Sequence, residues 1–366
     1  MMPDFESIIR NFSFEGEFIE GFPYGSGHIN DTYVVYFRKT DGLTRRYILQ
    51  RINNRVFRDS DRLMENIEGV TAHLRRKILS AGGDPCRETL NIIRTIDDKS
   101  FYKSPEGDSW RVYAFIENAR TYDVVEKPEH LYNGGKAFGT FQKLLSDFPA
   151  DLLHETIPDF HNTKKRYDAF IQAVETDSAN RAVFVKDEID FIIKRANDTE
   201  VLVNMLKNGG LPLRVTHNDT KFNNVMIDNK TGEGICVIDL DTVMPGLPLY
   251  DFGDSIRSGT NSALEDERDL SRVCMEIGLF ESFTSGFLNS ACEFLTPLEL
   301  EYMPFAAKLM TLECGIRFLT DYLSGDVYFK VHREGHNLDR ARTQFRMVSD
   351  MEDKMGQMIK IIKKYS

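Results

Sequence analysis

Residues Val215–Asp254 read VTHNDTKFNNVMIDNKTGEGICVIDLDTVMPGLPLYDFGD and set His217, Asp219, Asn224 and Asp239 in one short frame. Transfer of a phosphoryl group from a nucleotide needs such a set. One aspartate takes the acceptor hydroxyl's proton, an asparagine of the same loop reaches a metal, and a later aspartate holds the metal against the phosphates. A lone Asp or Asn would mean little, because turns favour both; the ordered set carries the signal. Asp219 is the expected base, a role contributing roughly 10²- to 10⁴-fold. Asn224 and Asp239 are the expected ligands of Mg2+, a hard ion that takes one or two protein oxygens together with nucleotide phosphates. Asp239 closes the apolar run Ile235–Ile238 and is expected at a strand end. If that strand continues, Asp241 faces the same way and is a candidate for a second metal or the substrate. His217 is expected to brace the loop from behind rather than act as the base. Asp251 and Asp254, despite the Asp-Phe-Gly letters, are expected to fix the loop through hydrogen bonds.

Composition bounds what surrounds this frame. At 366 residues and 41% hydrophobic content the chain can bury one large core or two joined lobes. A net charge of -11 gives no overall basic field for nucleic acid or an anionic membrane and suits a neutral small substrate. The five cysteines are scattered, with no CxxC pair, so neither a disulfide framework nor a zinc site is indicated, and they read as packing residues of a reducing compartment. The start, MMPDFESIIRNF, has no basic segment followed by an apolar one, and no long uninterrupted apolar run occurs anywhere. A cytoplasmic protein is expected, with a monomer as the default for an otherwise open oligomeric state.

Short β-type runs at Glu17–Phe22, Thr32–Phe37 and Arg46–Ile52, the last two joined by a turn at Lys39–Gly42, predict an antiparallel sheet. Over Ser60–Leu79 the apolar residues Leu63, Ile67, Val70, Leu74 and Ile78 recur at helical spacing and predict a helix packed on it. Trp110–Glu117 reads as a further strand. The rest is expected to be mostly helical, with a loop and strand pair over Leu213–Asp241. Thr296-Pro297-Leu298-Glu299 spells a capping box for a helix reaching about Leu323 and bent at Pro304. The expected division is residues 1–117 and 118–366, with the site in the cleft between.

Two further motifs have competing readings. In Tyr24-Gly25-Ser26-Gly27-His28-Ile29-Asn30-Asp31-Thr32 the glycines let backbone amides approach phosphate oxygens. Alone it would be a turn; beside the opening segment it reads as a phosphate loop, with His28 either contacting ligand or capping the loop. Arg317 sits in an apolar helical stretch with Glu313 and Asp321 four residues to either side. Spacing leaves open an ordinary salt-bridge ladder, worth roughly 0.2–0.5 kcal/mol per pair, or an arginine aimed at substrate oxygens.

Taken together, PYGSGHIN, RYILQ, WRVYAFIE, LRVTHNDTKFNN, VIDLDTVMPG, LYDFGDS, ALEDE and ECGIRFLTDYLSGD resemble the aminoglycoside phosphotransferase and choline kinase superfamily, and within it the N-acetylhexosamine 1-kinases. The resemblance spans nearly the whole chain. It implies an α+β, protein-kinase-like two-lobed fold with a small antiparallel-sheet N-lobe and a mainly helical C-lobe. It also implies ATP- and Mg2+-dependent phosphorylation of the anomeric hydroxyl of N-acetylglucosamine or N-acetylgalactosamine. By position, Asp219 matches the family's base, and Asn224 and Asp239 its metal ligands. His28 and Arg317 match its sugar contacts, with Lys221 beside Asp219 on the acceptor side. The nucleotide is expected at Gly25, Ser26, Gly27 and Gln50, and its adenine at backbone groups of Phe115–Glu117. One departure stands out: the superfamily's third-strand lysine is replaced by Gln50, with Arg51 beside it. Loop amides, Mg2+ and Arg51 are then expected to share the phosphate charge, and Glu65 and Glu68 lose their usual partner. Other readings are a kinase of homoserine, choline or another small alcohol, and a binding protein without turnover.

Overall fold

The structure, a computed structural model, describes residues 2–25, 29–122 and 127–366. In chain order its elements are α1 (Phe5–Ile9), β1 (Glu17–Pro23), β2 (Asp31–Arg38), β3 (Thr44–Ile52), α2 (Ser60–Ser80), α3 (Pro85–Glu88), β4 (Tyr102–Lys103), β5 (Ser109–Ala114) and β6 (Ala119–Arg120). There follow α4 (Pro128–Leu144), α5 (Thr163–Thr176), α6 (Lys186–Ile193), α7 (Asp198–Lys207), β7 (Arg214–Thr216), β8 (Val225–Asp228), β9 (Gly234–Val237) and β10 (Met244–Gly246). The last are α8 (Pro248–Gly259), α9 (Ile277–Ala291), α10 (Pro297–Leu323) and α11 (His336–Tyr365). The expected α+β class, an antiparallel sheet followed by a mostly helical remainder, is what forms. Two compact units result: Met1–Arg120 with Asp147–Pro158 and Met226–Met244, and Thr121–Ser146 with Asp159–Val225 and Pro245–Ser366.

The first unit is built on a sheet of order β1-β2-β3-β5-β4, antiparallel throughout. Alternation sorts its side chains. Tyr33, Val35, Phe37, Tyr47, Leu49, Trp110 and Val112 share one buried cluster with Ile8, Ile9 and Phe12. On the opposite face Thr32, Gln50 and Arg111 are register partners across β2, β3 and β5. Helix α2 lies on that face, with Met64 Sδ 4.0 Å from Arg111 Nη1; its start is capped by Asp59, whose carboxylate accepts from Arg62 N at 3.1 Å. The strand expected over Trp110–Glu117 stops at Ala114. Asn118 turns the chain with a left-handed φ of 57°, and the Glu117 carboxylate accepts from Arg46 Nε at 3.1 Å instead of extending the ladder. A smaller sheet pairs β6, β8 and β9.

The second unit is helical around β7 and β10. Its core gathers Phe170, Ile189, Ile192, Leu312, Ile316, Leu319, Phe345 and Val348. Helices α4 and α9 approach backbone to backbone: a Cβ on Gly135 would run into the Phe283 carbonyl, and one on Gly286 into that of Tyr132. The capping box of α10 forms, with Thr296 Oγ1 accepting from Glu299 N at 3.2 Å and Glu299 Oε2 from Thr296 N at 2.7 Å, and the helix runs unbroken through Pro304. Glu299 also accepts from Arg214 at 2.8 and 3.0 Å, tying this helix start to β7. All five cysteines are free, and Cys86, expected to be a packing residue, is exposed. Among the described residues no helix is long and apolar enough to cross a membrane.

Candidate active site

In the second unit, β7 delivers the chain into a loop whose backbone is held by one buried carboxylate. Asp251 on α8, 1% exposed, accepts from His217 N at 2.9 Å, Asn218 N at 2.7 Å and Gln142 Nε2 at 2.7 Å. Its own carbonyl accepts from Thr220 Oγ1 at 2.5 Å, and Ser255 Oγ donates to the Thr220 carbonyl at 2.9 Å. Burial pushes the Asp251 carboxyl above its ordinary pKa, against the pull of His217 and the amide donors. Asn218 is left-handed with φ 66°, a conformation asparagine tolerates. Asp219 N–H donates to His217 Nδ1 at 3.2 Å, which gives His217 the bracing contact its place in the sequence suggested.

Three of the sequence-selected residues meet on this loop. Asn224 Nδ2 donates to the Asp219 carbonyl at 2.8 Å and lies 3.4 Å from Asp219 Oδ2. Lys221 Nζ is 2.8 Å from Asp219 Oδ1, and the Asp219 charge holds the ammonium's pKa above its usual value, against burial. Farther along α8, Asp254 is bonded to Arg257 at 2.9 and 2.7 Å. Its pKa stays low although burial opposes this, because the Arg257 and Lys221 charges favour the carboxylate.

Arg317 stands on α10, one turn beyond Glu313. The ladder its spacing allowed does not form. Glu313 Oε1 is 2.8 Å from His161 Nδ1, and Asp321 accepts from the amides of Val327, Tyr328 and Phe329 and from Asn337. The Arg317 guanidinium instead lies 5.6 Å from the Phe160 ring centroid and 5.5 Å from that of Phe329, with no carboxylate in ion-pairing range among the described residues. Burial and the neighbouring Arg317 charge both lower the Arg166 pKa. His161 Nε2 is 3.1 Å from the Asn218 carbonyl, so Glu313, His161 and Asn218 connect the helix of Arg317 to the residue preceding Asp219. Both ring nitrogens of His161 face oxygens, and the protonated imidazole satisfies both. Burial opposes that charge, yet the Glu313 carboxylate raises the pKa above the ordinary histidine value.

The first unit carries the remaining residues. Asp239 lies two residues past the end of β9, not within it, and adopts a left-handed φ of 59° at the start of a 3-10 turn over Leu240–Thr242. The strand therefore does not continue, and Asp241 is not available for metal or substrate. Its oxygens are taken at 2.5 and 2.9 Å by Arg111 and at 2.6 Å by Asn30 Nδ2. Gln50 Nε2 donates to Thr32 Oγ1 at 3.0 Å, and Gln50 Oε1 accepts from Arg111 Nε at 3.0 Å. Arg51, expected to share the phosphate charge, is on the opposite side of β3 by alternation and pairs with Asp31 and Asp108. Glu65 bonds His154 at 2.5 Å and Glu68 pairs with Arg94. The inward polar residue of α2 is Asn66, which donates to the carbonyls of His154 and Val243 at 2.8 and 3.0 Å.

At the expected adenine segment, Phe115 N–H donates to the Arg46 carbonyl at 3.3 Å and the Phe115 ring lies 3.8 Å from the Arg46 guanidinium. The Glu117 carbonyl accepts from Arg87 at 3.1 Å, so these two backbone groups are already bonded within the chain. Gly25 has a φ of 79°, in the region glycine favours. Ser26, Gly27 and His28 lie outside the described residues.

Each unit carries an oxygen donor of the kind a hard divalent ion prefers. In the second unit Asn224 donates its amide N–H to Asp219 and keeps its amide oxygen as an acceptor; in the first unit Asp239 carries a carboxylate. Among the described residues no group of three or more His, Cys, Asp or Glu could hold a metal ion. Sequence reasoning missed Asn30 and Arg111. For Arg111 the available signal was a cation set among the apolar residues of the strand sequence WRVYAFIE.

The model of the family described as APH, phosphotransferase enzyme family, matches residues 22–272. Among solved structures, the chain is similar to an aminoglycoside phosphotransferase from Alicyclobacillus acidocaldarius at a TM-score of 0.63 and 10% identity, covering 100% of this chain and 97% of that one. A microcompartment-associated aminopropanol kinase aligns at 0.56 and 14% identity, over 93% of each chain. The amicoumacin kinase hAmiN, solved with AMP-PNP and Ca2+, aligns at 0.55 and 15% identity, over 93% of this chain and 90% of that one. At these identities the likeness is one of fold.

Proposed function

The chain belongs to the APH phosphotransferase enzyme family, and on that premise we propose that it is an ATP-dependent kinase of the anomeric hydroxyl of N-acetylglucosamine or N-acetylgalactosamine, releasing the sugar 1-phosphate. The observation that carries the phosphotransfer reading is the loop in which Asp219, Lys221 and Asn224 are held within hydrogen-bond reach of one another over the Asp251 carboxylate. Asp219 orients the acceptor hydroxyl and takes its proton as the bond to the γ-phosphorus forms. Lys221 offsets the charge that gathers there. Asn224 and Asp239 would hold Mg2+, which neutralises phosphate charge when bound. Gly25, Ser26, Gly27 and Gln50 are assigned to the phosphates, Phe115–Glu117 to the base, and His28 and Arg317 to the sugar.

The acceptor rests on the sequence motifs and on the charge around Arg317. Arg317 has no carboxylate partner among the described residues, and it lies close enough to Arg166 to lower that group's pKa. Two guanidiniums suit the oxygens of an uncharged sugar and repel a quaternary or primary ammonium, which disfavours choline and amino-alcohol acceptors. ADP release measured over a panel of free sugars, choline, ethanolamine and homoserine tests this. Turnover confined to N-acetylhexosamines is expected; turnover with the amino alcohols and none with the sugars would overturn the acceptor assignment.

A further inference from the structure

The Arg111–Asp241 ion pair has no part in the chemistry assigned above. It is almost sealed from water, with Arg111 1% and Asp241 3% exposed. Withdrawing two charges from water costs several kcal/mol per ion, and an apolar pair of similar volume often stabilises a fold as well or better. A pair placed so deep is therefore explained better by the geometry it fixes than by stability.

That geometry is specific. The guanidinium reaches both Asp241 oxygens, at 2.5 and 2.9 Å, and its Nε donates at 3.0 Å to Gln50, which is itself bonded to Thr32. Asp241 also accepts from Asn30 at 2.6 Å, and Asn30 Oδ1 accepts from Asn53 N at 3.0 Å. One carboxylate thus ties the turn after β9 to β5, to β3 and to the chain just past the glycine-rich segment. Asn66 adds a hold on the same stretch through the Val243 carbonyl at 3.0 Å. Two residues before Asp241 stands Asp239, left-handed and beyond the last ladder bond of its strand.

We propose that Arg111 is the positioning residue of this turn, fixing through Asp241 where Asp239 presents its carboxylate to the metal of the bound nucleotide. The inference rests on the assignment of Asp239 as a metal ligand made above. Beside the phosphate role assigned to it above, Gln50 then orients Arg111 through its Oε1, and the cation beside Gln50 is Arg111 rather than Arg51.

The test is calorimetric binding of ADP to the full chain with and without Mg2+, alongside melting curves. Wild type is expected to bind ADP more tightly with Mg2+. The double variant Arg111→Met/Asp241→Leu removes both buried charges together, so it is expected to melt near wild type while losing about tenfold or more of the Mg2+-dependent gain, the scale on which supporting residues tune metal affinity. Arg111→Lys keeps the charge but not the fork and is expected to lose part of the gain, with ADP affinity in the absence of Mg2+ unchanged. A double variant that melts like wild type and keeps the whole gain would overturn the proposal. Should the double variant not fold, Arg111→Lys decides alone: an undiminished gain overturns the proposal and a reduced one supports it. A wild type that gains nothing from Mg2+ would remove the metal role of Asp239, and the inference with it.

Discussion

Asp219 is approached by an ammonium at 2.8 Å, a side-chain amide and, through its own N–H, the ring of His217. Asn224 and His217 hold the Asp219 backbone, while the carboxylate itself meets Lys221 at Oδ1 and Asn224 Nδ2 at 3.4 Å from Oδ2, an arrangement that suits the base role proposed for it. Asp219→Asn is expected to lower kcat by roughly 10²- to 10⁴-fold while leaving nucleotide binding in place, measured by initial rates and ADP calorimetry; equal turnover would remove Asp219 as the base. His161 gives a pH dependence. Its pKa is raised in the fold, because the Glu313 carboxylate outweighs burial, so its stabilising contribution is complete below about pH 6.5 and is lost as pH climbs through the higher folded value. Melting temperatures of wild type and His161→Gln should converge as pH rises above about 6.5; a gap that stayed constant or widened would show that the pair does not titrate this way.

Close approach at the scale of elements depends on what is missing from a side chain. Helices α4 and α9 pack through Gly135 and Gly286 against each other's carbonyls, so Gly135→Ala must push the pair apart, at a cost of about 1–3 kcal/mol of stability. Gly278, on α9 with open space about its Cα, is the control: Gly278→Ala is expected to be neutral or stabilising by up to about 1 kcal/mol. Thermal unfolding of the two variants checks this, and equal shifts would refute the packing account. The elements that were legible in sequence are those with a local code. Alternation revealed β1, β2 and β3, helical spacing revealed α2, and Thr296–Glu299 announced α10 through its cap. What stayed hidden is set by distant partners. Nothing near Arg111 in sequence names Asp241, and the apolar run before Asp239 reads as a strand reaching that residue, although the ladder stops at Val237 and a left-handed turn follows. Arg51 drew attention because it adjoins Gln50 in the chain; the pleat puts sequence neighbours on opposite faces and cross-strand partners, here Arg111, on the same one.

For the whole molecule, Asp219, Asn224 and Asp239 stood out as a candidate frame because one short stretch of sequence carries them, whereas the proposed acceptor contacts come from separate elements. Glu313 and Asp321 looked like partners for Arg317, and the fold sends one to His161 and the other to the Val327–Phe329 amides. A net charge of -11 is compatible with an uncharged acceptor, and the neighbouring guanidiniums of Arg166 and Arg317 are a local exception to it. The central claim is transfer to the anomeric oxygen, and the most direct measurement compares N-acetylglucosamine with its methyl glycoside, in which that oxygen is blocked, under saturating ATP and Mg2+. Turnover of the free sugar to an anomeric phosphate, seen by phosphorus NMR, with none of the glycoside is the expected result. Equal turnover of both, or phosphate on any other oxygen, would refute the claim.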